Sequence, residues 1–292
     1  MRTAEAVSHG AITIVNAMAT GKGAALGVQL WTHATVKVTE QRGVFVARNL
    51  SDPDENTSLA EATAEHVFAH FGAEKRFGAT IETESNIPIA VGLKSSSACS
   101  NAVALASLHA LGRTSSDLEV VRLGVQASIK ERVTLTGAFD DACACYFGGL
   151  VITDNLKRRI LKRFTPKEKL RVLIHVPNVK RYTRDVDPDS FNSIKPFVEV
   201  AHRAALRGEY WNAMTLNGLI YSMALGHNTT ATKTALDAGA IAAGLTGKGP
   251  AVAAIVPKSK TRNVRAAWSS IEGQVIETSF NFQKATVRRI PH

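Results

Sequence analysis

The sequence predicts two domains, each built from mixed α+β layers. Three observations carry that expectation. The chain has 292 residues, long for one domain and comfortable for two. Strand-like and helix-like periodicities alternate inside both halves instead of segregating. A basic, proline-containing stretch from Asp154 to Leu170 interrupts the pattern near the middle. The expected division is therefore 1–155 and 156–292.

In chain order, the first half opens with strand-like runs at Ala11–Val15, Leu30–Val38 and Val44–Ala47, with Gly21-Lys22-Gly23 read as a loop between the first two. Asp52-Pro53-Asp54 is turn chemistry. Ser58 followed three residues later by Glu61 has the form of a capping box, opening a helix to about Phe71. A strand is expected over Ala79–Glu84, a loop over Asn86–Ser97, and an alanine-rich helix from about Ser97 to Leu111, stopped by Gly112. A second helix covers Asp117–Glu131, entered through Ser115 or Ser116. Ala138–Asp154 holds a Gly148-Gly149 turn and a short apolar strand.

The second half starts with the apolar strand Leu170–Val176, followed by a polar loop, Pro177–Pro188. Helices are expected over Ser190–Leu206, Tyr210–Leu225 and Thr230–Ala243. A glycine-rich turn leads to a strand at Ala251–Val256, a helix near Val264–Ile271 and a last strand near Ala285–Ile290.

Composition excludes several classes. A hydrophobic fraction of 45% with 21% charged residues is that of an ordinary globular chain able to bury a core. No run approaches the ~20 apolar residues of a membrane span, and Met1–Ser8 lacks the apolar stretch of a signal peptide. Three cysteines, Cys99, Cys143 and Cys145, point to a reducing cytoplasm, not a disulfide framework. Cys143 and Cys145 lack a second ligand pair nearby and read as small buried residues on or near a strand. The net charge of +10 suggests anionic partners. Its densest run, Lys157–Arg163, has no interleaved aromatics and reads as a solvated basic face; nucleic acid is not the expected partner.

The chemistry concentrates in Pro88-Ile89-Ala90-Val91-Gly92-Leu93-Lys94-Ser95-Ser96-Ser97-Ala98. Glycine and three serines open directly into a helix of small residues. Unpaired N–H groups and the positive dipole end of a helix together hold phosphate. Gly92 permits close backbone approach, and three hydroxyls exceed what one cap requires. A second turn, Leu245-Thr246-Gly247-Lys248-Gly249-Pro250-Ala251, comes late between helix and strand. A third stretch, Thr136-Gly137-Ala138-Phe139-Asp140-Asp141-Ala142, ends in Phe147-Gly148-Gly149. No Walker loop is present, and Gly21-x-Gly23-x-x-x-Gly27 has the wrong spacing for a dinucleotide fingerprint.

These segments, in this order, resemble the motifs of the kinase superfamily that unites galactokinase, homoserine kinase, mevalonate kinase and phosphomevalonate kinase (GHMP). The first resembles its phosphate loop, P-x-x-x-G-L-G-S-S-A-A, with Lys94 where the family has glycine. The late turn resembles the C-terminal G-x-G motif, and the third stretch S-G-x-D-N-A…G-G, with Asp140 at the aspartate and Asp141 at the asparagine. Gly10–Gly27 resembles the first family motif, with Ala11 where mevalonate kinase has a lysine. Within the superfamily the phosphate loop resembles that of the archaeal type of shikimate kinase, which carries G-L-K-S-S-S-A; homoserine kinase is the alternative, and a basic nucleic-acid module a remote third.

The resemblance implies a ribosomal-S5-like N-terminal domain, which binds ATP and carries catalysis, and a ferredoxin-like C-terminal domain. It implies ATP and Mg²⁺ as cofactors and shikimate as the phosphoryl acceptor. Pro88, Gly92, Leu93, Lys94, Ser95, Ser96, Ser97, Ala98, Gly247 and Gly249 would bind the nucleotide. Asp140 would be catalytic and, with Asp141, face the substrate; Ser96 and Glu131 would hold the metal. Arg181 and Arg184 lie in a loop expected to meet the substrate carboxylate, which a guanidinium recognises well. A homodimer is compatible with the resemblance. One nucleotide serving both glycine-rich turns requires that the Ser95–Ala98 turn face Gly247–Gly249.

Overall fold

The computed structural model describes residues 2–134, 137–167, 169–179 and 188–288. The first sheet is organised around two long antiparallel strands, β1 (Thr3–Val15) and β2 (Lys22–Thr39). The C-terminal half of β2 pairs with β4 (Gly78–Ser85), which carries β3 (Phe45–Asn49) in parallel. Its N-terminal half pairs instead with β5 (Leu150–Asp154), and β5 with β6 (Arg159–Phe164). A register shift at His9/Gly10 marks a bulge in the β1–β2 ladder, which lets one strand serve two neighbours in different directions.

Four helices belong with this sheet: α1 (Ser58–His70), α2 (Ser95–Ala110), α3 (Asp117–Lys130) and α4 (Phe139–Phe147). Helix α2 is the central one, packed on β1 and β2 and against α1, α3 and α4. Its Ala98, Ala102, Ala104 and Ala106 are fully buried, and such small side chains allow close approach on every side.

The second sheet has the order β10-β7-β9-β8, all antiparallel, with β7 (Leu170–Val176), β8 (Ala242–Leu245), β9 (Val252–Pro257) and β10 (Gln274–Thr278). Helices α5 (Lys195–Arg207) and α6 (Tyr210–Leu225) join one another, with α6 lying against both β8 and β1. Helices α7 (Thr230–Asp237) and α8 (Thr261–Trp268) form a smaller core with Leu173, Val252 and Val256. The larger core runs without a break from Ile12 and Leu26 in the first sheet to Ile174 and Ile255 in the second.

Several elements differ from the sequence reading. Lys22 and Gly23 belong to β2, and the turn lies before them, because Gly23 pairs with Thr153. The expected capping box does not form. Thr57 is the N-cap of α1, and Glu61 Oε1 instead accepts the Thr57 hydroxyl and the Ala47 N–H, tying α1 to β3. Residues 139–147 form a helix rather than a run into a strand, so the free, buried Cys143 and Cys145 lie on α4. Helix α7 stops at Asp237; residues 242–245, helix-forming by propensity, become a strand buried on both faces. Strand β10 went unread.

The expected division at 155/156 cuts the β5–β6 hairpin, so residues 159–164 pair within the first sheet. The last strand, β11 (Thr286–Arg288), also crosses back and pairs with β1.

Candidate active site

Lys94 is the N-cap of α2 and offers no side-chain cap, so nothing on the residue before the helix satisfies its first-turn N–H groups. The three serines follow, and Ser95 and Ser96 are only half-buried. The N-terminus opens into a cleft of about 800 Å³. Gly92, Lys94, Ser95, Ser96, Ser97, Glu131, Asp140, Asp141 and Gly247 all line it.

The two glycine-rich turns are in direct hydrogen-bond contact. The Thr246 hydroxyl donates to Gly92 O (2.9 Å), the Ala251 N–H donates to Val91 O (3.2 Å), and the Thr13 N–H donates to Thr246 Oγ1 (3.1 Å). Thr13 Oγ1 accepts the Gly247 N–H (2.8 Å) and Lys94 Nζ (2.7 Å). A β-carbon on Gly92 would overlap Thr246 O, and its φ of +94° is strained for other residues. Gly92 is therefore glycine because another loop presses on it.

The first turn of α4 supplies the acids. Asp140 is 3% exposed. Asn155 holds it twice: its Nδ2 donates to Asp140 Oδ1 (2.7 Å), and its Oδ1 accepts the Asp140 N–H (3.1 Å). On the other side the carboxylate rests on Gly23, where any β-carbon would overlap Asp140 Oδ2. Burial first, then the neighbouring Asp141 carboxylate, push Asp140 up to about 7, against the Asn155 hydrogen bond and the Lys94 charge. Asp141 Oδ1 lies 3.2 Å from Lys94 Nζ, whose side chain is 6% exposed.

Four of the expected nucleotide residues do not line the cleft: Pro88, Leu93, Ala98 and Gly249. Leu93 and Ala98 are core side chains at 1% and 0% exposure. Gly249 donates its N–H to Thr246 O inside the second turn. Arg181 and Arg184 lie outside the described residues.

The sequence reading missed Thr13, Asn16, Asn155 and Asn217. Asn16 and Thr13 line the cleft. Asn217 Oδ1 accepts the Asn16 N–H (2.9 Å), and Asn16 Nδ2 donates to Gly247 O (2.8 Å), joining β1, α6 and the late turn. A threonine inside the apolar run Ala11–Val15 was a legible signal, since buried hydroxyls need partners. Asn155, after an apolar strand, looked like an ordinary turn residue.

Residues 58–149 match the GHMP kinases N terminal domain, and residues 213–273 the GHMP kinases C terminal domain. The chain is 46% identical over 278 residues to a shikimate kinase of Methanosarcina mazei, covering 94% of this chain and 94% of that protein. It is 45% identical over 271 residues to a shikimate kinase of Pyrococcus furiosus, covering 92% and 96%. Among solved structures, the mevalonate kinase of Methanococcus jannaschii superposes with a TM-score of 0.77 at 13% identity, covering 95% of this chain and 98% of that one. The homoserine kinase of Cytophaga hutchinsonii gives 0.74 at 17%, covering 99% and 98%. At such identities these two likenesses show the fold.

Proposed function

Since this chain belongs to the GHMP kinase family, we propose that it transfers the γ-phosphoryl group of ATP to shikimate, giving ADP and shikimate 3-phosphate. The observation that carries the chemistry is a buried carboxylate, Asp140, sharing one cleft with the open N-terminus of α2. The relatives carry the choice of acceptor: the curated proteins it resembles at 38–46% identity are named shikimate kinases. The product belongs to the synthesis of chorismate and the aromatic amino acids.

In this reading the first-turn N–H groups and hydroxyls of Ser95, Ser96 and Ser97 cradle the triphosphate. Gly92 and Gly247 keep the two loops close around it. Asp140 orients the attacking hydroxyl and accepts its proton; a carboxyl near 7 is matched to that task at neutral pH. Phosphoryl transfer asks mainly for positioning and charge stabilisation, and the Asn155 clamp supplies positioning without adding charge.

The donor set suits Mg²⁺. Ser96 and Glu131 line the cleft as hard oxygen donors, the ligand type that Mg²⁺ takes while keeping several of its waters and the substrate phosphates. When bound, the ion neutralises charge on the phosphates; Ser96 and Glu131 are its proposed protein ligands. Arg181 and Arg184 remain the proposed holders of the shikimate carboxylate. No helix among the described residues is long and apolar enough to cross a membrane; cytoplasmic residence and a homodimer belong to the same proposal.

A coupled ADP-release assay across shikimate, homoserine and mevalonate tests the assignment. A site with placed polar partners rejects acceptors lacking them by large factors, so shikimate should exceed both in kcat/KM by at least about 100-fold. Preference for homoserine overturns the shikimate reading.

A further inference from the structure

Lys94 adopts φ 67°, ψ 31°, a left-handed conformation in which a β-carbon is strained. Glycine would take it freely. The lysine side chain is nevertheless buried, with its ammonium 3.2 Å from Asp141 Oδ1 and 2.7 Å from Thr13 Oγ1. It thus touches three segments at once: the phosphate loop that carries it, strand β1, and the first turn of α4. Thr13 Oγ1 in turn accepts the Gly247 N–H, which extends the connection to the late turn. Asp141 is 17% exposed and adjoins Asp140.

Neither group is tolerable there alone. A buried ammonium without a carboxylate tends to shed its proton, and a second carboxylate beside Asp140 without a cation adds repulsion where a triphosphate must sit. Lys94 and Asp141 are also two of the positions at which the sequence departs from the motifs it resembles, one gaining a positive charge and the other a negative one. Across a 47-residue separation the two gains meet as one ion pair.

We infer that Lys94 and Asp141 work as a single unit, a buried ion pair that locks the phosphate loop to the first turn of α4 and so positions Asp140. In this role Lys94 is a positioning residue, spent on Asp141 and Thr13 and not on the nucleotide. The inference rests on the assignment of Asp140 as the group facing the acceptor hydroxyl.

The test is a double-mutant cycle on the full chain: Lys94→Gly, Asp141→Asn and the two combined. Each single variant leaves an unpaired buried charge or an unheld loop and should lose at least about 10-fold in kcat, with KM for ATP nearly unchanged. The double variant should lose no more than the worse single one. Added methylammonium or ethylammonium should restore turnover to Lys94→Gly and not to the double variant, a response that simple loss of packing would not give. Losses that multiply in the double variant overturn the inference. So does a raised KM for ATP in Lys94→Gly with Asp141→Asn silent, which would make Lys94 a nucleotide ligand. Should a single variant fail to fold, a folded and active double variant supports the unit, and an unfolded one overturns it. If the wild-type chain prefers another alcohol, the shikimate reading falls, while the cycle run with that alcohol still decides the pair.

Discussion

At the residue scale, Asp140 sits between Asn155 on one side and Gly23 on the other. Asp140→Asn keeps the shape and removes the charge, so kcat should fall by about 10²- to 10⁴-fold with KM for ATP little changed. Steady-state kinetics reads both. Because burial and Asp141 push Asp140 up to about 7, wild-type kcat/KM should rise with pH through that region. A pH-independent profile from 5 to 8 would count against Asp140 as the base. Stability has the opposite sign. A carboxyl raised on folding binds its proton more tightly in the native state, so its contribution is complete below the unfolded value and fades as pH rises through about 7. Thermal melts of the unliganded protein should therefore show Asp140→Asn gaining on wild type at pH 8 relative to pH 4. Gly23→Ala offers an independent check, because its methyl would displace the carboxylate without replacing the acid itself. It should reproduce most of the kcat loss of Asp140→Asn, and a fully active variant would show that the carboxylate has room to move. These roles were only half legible. Asp140 stood inside a motif, but Asn155 and Gly23 are ordinary residues until the strand pairing Gly23↔Thr153 brings them beneath it.

Helix α2 explains the next scale. Its N-cap is a lysine in a left-handed turn, whose side chain accepts nothing from the Ser95, Ser96 and Ser97 N–H groups. Such donors suit an anion, and Ser96 stands half-buried beside them on the cleft. Ser96→Ala should fold normally and lose at least about 10-fold in kcat, since contacts to developing charge weigh most in the transition state. Circular dichroism with kinetics checks both halves, and undiminished turnover would move the role to Ser95 or Ser97. The elements best read from sequence were those with a strong local signal. Ser116 caps α3 through the Glu119 N–H as expected, and α6 matches its predicted bounds. Helix α4 had no such signal, because Ala138 starts it in a left-handed turn and eight of its nine residues are buried. The basic run is explained at this scale too. Among the described residues Arg159–Phe164 is an edge strand paired with β5 alone, and charges on such an edge discourage pairing with other chains.

On the scale of the whole molecule, the chain ends by returning to its beginning. Strand β11 pairs with β1, the Ala285 N–H donates to Tyr146 O (2.6 Å), and Lys284 Nζ lies 2.8 Å from Asp117. Tyr146 is on α4, so the tail braces the helix that carries both acids. Removing residues 284–292 exposes the edge of β1 and frees α4. It should lower the melting temperature by at least about 3 °C, the equivalent of roughly 1 kcal/mol or more in a chain of this size, and reduce kcat more than KM for ATP. Calorimetry and kinetics on the truncated chain read both, and an unchanged melt would show the tail to be dispensable.

By itself the sequence determined the α+β class, the order of the glycine-rich turns, the small-residue helix behind the first of them and the acid pair at Asp140 and Asp141. All are local: each rests on residues within one turn, strand or helix, where periodicity and backbone demands act at short range. The tertiary structure alone decided what those residues do to one another. That Gly92 yields to Thr246, that Asn155 and Gly23 grip Asp140, and that Lys94 belongs to Asp141 are facts about chain segments 15 to 154 residues apart. No local pattern records them, because the free energy of a buried charge or an overlapped β-carbon depends on which neighbours the finished fold brings within a few ångströms.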